Sequence, residues 1–109
     1  MAFGLDAFQN VAVTGSVSVL SHALHLYEVA AFNPSAAIAH VQLFDSSGTA
    51  GVTLGTTAAL YILTVNPADS ARTRWPGLRF TKGLVFAPTT TATGATGVAG
   101  GVNVEGAYG

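Results

Sequence analysis

The chain has 109 residues, five acidic and four basic, with a net charge of −1 at pH 7 and no cysteine. Charged residues make up 8% of it, against about 25% in an ordinary soluble domain. This balance excludes disulfides and thiolate chemistry and leaves no electrostatic case for nucleic acid. It also argues against a solitary life in solution, because little net charge favours association.

The length suits one domain. Nineteen of the apolar residues are Ala, so the larger side chains suffice for one thin core between two layers. No apolar run approaches the roughly 18 residues of a membrane helix, and no membrane contact is expected. The opening Met1-Ala2-Phe3-Gly4-Leu5-Asp6 lacks a basic segment followed by an apolar run, so no signal peptide is expected.

Residues 1–9 read as an N-terminal arm carrying Phe3, Leu5 and Phe8, which either reaches a neighbour or packs as a strand on its own domain. Residues 10–109 read as a single domain. Val11, Val13, Val17 and Val19 alternate with small or polar residues, the period of a half-buried strand, with Gly15 marking a bulge or a close approach. Leu24 to Phe32 is expected as a strand with Tyr27, Val29 and Ala31 inward and Glu28 outward. Asn33-Pro34-Ser35 breaks it, and Ala36 to Phe44 follows with Ala39, Val41 and Leu43 on one face and His40 and Gln42 on the other. Together these predict an antiparallel hairpin from Leu24 to Phe44.

Asp45-Ser46-Ser47-Gly48 is a turn, and Val52-Thr53-Leu54 a short strand. Leu60 to Val65 is an apolar strand closed by Asn66-Pro67. Ala71 to Trp75 is a basic strand stopped by Pro76-Gly77, and Leu78-Arg79-Phe80 is a separate short one. Leu84 to Thr93 starts as a strand and drifts into a Thr run. A Gly-rich hairpin loop leads to a last strand with Val102, Val104 and Tyr108 alternating with Asn103 and Glu105. Single turns of helix are conceivable in the Ala-rich patches, but β-branched residues and Gly/Pro punctuation oppose longer ones. About eight short strands at this spacing predict an all-β antiparallel sandwich, jelly-roll-like.

No catalytic signature stands out. His22 and His25 are three apart, which on a continuous strand places them on opposite faces, and His40 is distant in sequence; a zinc site needs three or four converging ligands. The carboxylates Asp6, Glu28, Asp45, Asp69 and Glu105 are scattered, and Asp45 and Asp69 fall where Asp caps a turn. No nucleophile elbow occurs, and the Gly94–Gly101 stretch lacks the Gly-Lys-Ser/Thr ending of a phosphate loop. The chain is therefore expected to be no enzyme, with no metal and no cofactor.

The positive residues form the one asymmetry. Arg72, Arg74, Arg79 and Lys82 fall in one short span beside Trp75 and Phe80. Arg72 and Arg74 share a strand face. They read either as interface anchors that meet a neighbour's Asp or Glu, or as the guard of an edge strand. The candidate interface set is Phe3, Leu5, Phe8, Arg72, Arg74, Trp75 and Arg79.

Several phrases carry a resemblance: Leu26-Tyr27-Glu28-Val29, Phe32-Asn33-Pro34-Ser35, Val41-Gln42-Leu43-Phe44-Asp45, Leu54-Gly55-Thr56-Thr57, and Gly77 to Ala87 with Thr89-Thr90-Thr91-Ala92-Thr93-Gly94. Across residues 24–94 the chain resembles small virion proteins of tailed bacteriophages. It departs from them where Ala58-Ala59 follow the Gly-Thr phrase, a place that often holds Pro in such proteins. The resemblance implies a β-sandwich that decorates or cements a capsid, or sits in a neck, tail or head fibre. It also implies a symmetric homo-oligomer such as a trimer, bound to the major capsid protein or another virion protein, and a place in the virion after synthesis in the bacterial cytoplasm. A carbohydrate-binding host-attachment module is the alternative of a different class, with Trp75, Tyr27, Tyr61 and Tyr108 as candidate stacking residues.

Overall fold

The structure, a computed structural model, describes residues 6–109. Its strands are β1 (Asp6–Val13), β2 (Val17–Leu20), β3 (Leu24–Asn33), β4 (Ala39–Asp45), β5 (Tyr61–Val65), β6 (Asp69–Phe80), β7 (Leu84–Thr89) and β8 (Val102–Tyr108), with one 3-10 turn at Thr49–Gly51. The pairing is nested. β1 pairs with β8, β2 with β7, β3 with β6 and β4 with β5, all antiparallel. The chain is thus one long hairpin rolled up. Contacts of β3 with β8 and β4 with β7 complete two sheets, ordered β1-β8-β3-β6 (sheet I) and β2-β7-β4-β5 (sheet II). This is a jelly roll, the expected all-β sandwich with the expected number of strands.

The core lies between the sheets. Val29, Ala31, Val102 and Val104 from sheet I meet Val41, Leu43, Leu63, Leu84 and Phe86 from sheet II. Each is an alternate residue of its strand, and the period-two pattern located Val29, Ala31, Val41, Leu43, Val102 and Val104; Leu63, Leu84 and Phe86 lie in apolar runs that show no alternation. Of the segment assigned to an arm, residues 6–9 lie in β1, paired to Glu105–Tyr108 of β8.

Seven sequence-based expectations are corrected. Val11 to Val19 is not one strand: β1 ends at Val13, the chain crosses to the other sheet, and β2 begins at Val17. Gly15 lies in that exposed crossing, and the bulge sits at Val11 and Ala12, where Ala12 adopts φ 53°. Leu24 to Phe44 is not a hairpin, because β3 and β4 belong to different sheets. Tyr27 is not a core residue; a bulge between Leu26 and Glu28 shifts the phase, so Leu24 and Leu26 point inward before it and Val29 and Ala31 after it. Val52-Thr53-Leu54 is loop. Pro76-Gly77 does not end a strand but bulges within the 12-residue β6. The last is possible because β6 is the edge of sheet I, where the lost proline donor costs no ladder bond. The stretch from Gly94 to Gly101 likewise joins β7 to β8 across the two sheets rather than closing a hairpin.

Asn33 makes the turn between sheets. Its buried amide donates to the carbonyls of Ala37 (2.7 Å), Val65 (3.2 Å) and Asn66 (3.3 Å). Its Oδ1 accepts from the amide and hydroxyl of Ser35 at 3.1 and 2.7 Å. One side chain thereby ties the end of β3 to the end of β5.

Asp45 caps a turn other than its own. Its carboxylate accepts the amides of Thr81, Lys82 and Gly83 and the Thr81 hydroxyl at 2.8–3.3 Å, holding the β6–β7 turn onto the end of β4. Burial opposes the charge, but the four donors outweigh it and hold the carboxyl below the usual Asp range. The group therefore stabilises the fold above the ordinary Asp pKa, and that contribution disappears as pH falls through the lowered value. Asp45→Asn is expected to cost about 1–2 kcal/mol at pH 7. Thermal melts at several pH values should show a flatter acid limb below about pH 4 than in the unaltered chain.

Sheet II is covered on both faces. Its outer face carries Phe44, Val85 and Ala87, and the loop after β4 lays Val52, Leu54 and Ala59 over them. The loop after β7 adds to this cover: Gln42 donates to the Thr89 hydroxyl (2.8 Å) and the Gly94 carbonyl (3.1 Å). Every residue of β7 is consequently buried, which explains its nearly unbroken apolar sequence.

Candidate interaction surface

The outer face of sheet I has no such cover from the described chain. Register aligns its residues in rows across the strands β1, β8, β3 and β6. One row is Ala7, Ala107, Glu28 and Arg74; the next is Gln9, Glu105, Ala30 and Arg72. A third places Asn103, Phe32 and Ser70 side by side. These side chains face outward because their neighbours Phe8, Val29, Ala31, Ala71 and Val104 face the core.

Small residues at the middle of this face leave a shallow depression of about 310 Å³ over Ala30, bounded by Phe32, Ser70, Arg72 and Glu105. Phe32 is 43% exposed, unusual for an aromatic in mid-sheet. Acids and bases on these rows balance, two of each. Arg72 donates to Glu28 through Nη1 at 2.7 Å, and Arg74 through Nε at 2.9 Å. The hydrogen bonds from Arg74 and then Arg72 hold the Glu28 carboxyl below its usual range. The sequence left these arginines as anchors for a neighbour's acid or as guards of an edge strand. β6 is an edge strand, and within the chain both arginines pair with Glu28, 44 and 46 residues away.

The other candidate residues are spread out. Phe8 packs on the core, stacked on Phe86 with centroids 5.9 Å apart. Trp75 is half-buried and meets Tyr61 edge-on at 5.0 Å. Arg79 lies beyond the β6 bulge, exposed and opposite His25. Phe3 and Leu5 lie outside the described residues. Of the aromatics considered for sugar stacking, Tyr61, Trp75 and Tyr108 lean on the core and do not form an open platform.

No protein-family model, curated protein or solved structure matches the chain.

The histidines do not converge. His22 and His25 lie before and within β3, whereas His40 sits on sheet II beside the Thr64 hydroxyl at 3.0 Å. Among the described residues no group of three or more His, Cys, Asp or Glu is placed to hold a metal ion, and no helix is long and apolar enough to cross a membrane. Asp69 caps its own strand start through the Ser70 amide at 2.8 Å. A second, smaller depression of about 160 Å³ between His25, Arg79 and Gly109 holds no carboxylate side chain. Sequence reasoning found the arginines but missed Ala30, Phe32 and Glu105. Their only signal is alternation with core residues, and it becomes informative once register places them beside Arg72.

Proposed function

We propose that the chain is a structural subunit of a bacteriophage virion, a capsid decoration or cement protein that bridges and stabilises shell subunits as a symmetric homo-oligomer. The observation that carries this reading is the asymmetry of the two sheets. One outer face is roofed by the chain's own loops, while the other is open, balanced in charge and carries an exposed Phe. Support also comes from the resemblance over residues 24–94 and from the use of jelly rolls in viral capsids. The work of such a subunit is mechanical: many weak contacts repeated by symmetry give an avidity far above each one. A place in the neck, tail or a head fibre would use the same face.

Sedimentation of the purified protein tests the reading, with a homo-oligomer as the expected result. Labelled protein should bind particles lacking it and raise the temperature at which they open. A chain that stays monomeric at every concentration and does not bind particles overturns it. Imaging of the decorated particle then separates shell from neck and tail.

A further inference from the structure

The open face of sheet I is complementary to itself. In the row centred on Ala30, Glu105 lies one strand to one side and Arg72 one strand to the other. Adjacent strands are about 4.8 Å apart, so the two charges stand symmetrically about β3. A two-fold axis running along β3 in the plane of contact exchanges the two sides. It sets Glu105 of each copy against Arg72 of the other, twice, with the small Ala30 residues between them.

We propose that this face docks a second copy of the same chain, two-fold about β3. The proposal rests on the reading of the chain as an assembly subunit, and it names the partner and the symmetry of the open face. Three further features agree with it. Glu28 and Phe32 point outward on the same strand, so each meets its own copy near the axis. For Phe32 this is an aromatic pair. For Glu28 it would be repulsion, and among the described residues Glu28 is the one carboxylate that carries two arginines of its own chain. The balance of two acids and two bases on these rows leaves the buried face without net charge. About this axis β8, β3 and β6 face β6, β3 and β8 of the copy, and β1 lies beyond the copy's edge. Three strands of about eight residues span about 14 by 26 Å, or about 370 Å² a side, less than a stable isolated dimer buries, so the contact is a weak one of the kind an assembly multiplies.

A two-fold contact closes at two copies, whereas the phage resemblance implies trimers, so the mass of the smallest stable species separates the two. Charge exchange tests the contact itself. Glu105→Arg alone and Arg72→Glu alone each set like charges together at both ends of the row. Each should weaken self-association at least about tenfold. Mixed in equal amounts, the two variants should form a heterodimer as tight as the native pair, because position 105 of one then meets position 72 of the other with opposite charge at both ends. Both positions are exposed, and circular dichroism verifies that each variant folds. Native-like self-association of the two single variants, or no recovery on mixing, overturns the two-fold contact and leaves the assembly reading standing. A native chain that is monomeric throughout overturns the two-fold contact, and one that also fails to bind particles overturns both.

Discussion

Asn33→Ala is expected to destabilise the protein by about 3 kcal/mol, because it leaves the buried Val65 carbonyl without its donor and breaks the bonds to the Ala37 and Asn66 carbonyls at the rim. For a domain of this size that is a fall in Tm of about 10–20 °C. Three carbonyls, of Ala37, Val65 and Asn66, converge on the Asn33 amide, and Ser35 leans on its oxygen. Asn33→Asp sharpens the test. It keeps the shape but points a carboxylate oxygen at those carbonyls, so it should be at least as damaging as Ala at pH 7. A tolerated Asp would show that the amide does not donate there. Chemical denaturation of the three proteins decides the matter, with equal slopes expected if only stability changes.

Gly101→Ala is expected to cost about 3 kcal/mol or more, and Gly100→Ala only about 1 kcal/mol. Both glycines adopt φ 80°, so both substitutions incur the left-handed penalty. They differ in surroundings. A methyl on Gly100 meets nothing, while one on Gly101 falls onto the Ala12 backbone. Ala12 cannot yield freely, since it forms the bulge of β1 and its amide donates to Asn103 Oδ1 at 3.0 Å. Equal melting temperatures for the two variants would show that β1 moves aside.

Most of the strands could be read from the residues, because alternation reports a half-buried sheet wherever the strand has one wet face. β8 is the clear case: Val102, Val104 and Tyr108 turn inward and Glu105 outward. Alternation is blind to which sheet a strand joins. Val11 and Val13 look like equals in the sequence, yet Val11 is 70% exposed and Val13 is buried. A Pro- or Gly-rich break serves a hairpin and a crossing between sheets equally well, which is why the breaks at Asn33-Pro34 and at Gly94–Gly101 were misread. What separates the cases at Asn33 is a hydrogen-bond partner 32 residues away. The open face was legible only as its basic part. Arg72 and Arg74 cluster in sequence, but Glu28, Ala30, Phe32 and Glu105 come from strands that only the rolled hairpin brings together.

The nested pairing has a consequence for the order of events during synthesis. β1 emerges from the ribosome first and must wait for β8, its ladder partner. β8 also lies between β1 and β3, so a nascent chain without it has a gap inside a sheet rather than a missing margin. Long-range pairing of this kind is slow. A truncated product would therefore present none of the rows that cross β8, and broken chains would lack the open face without any separate proofreading step.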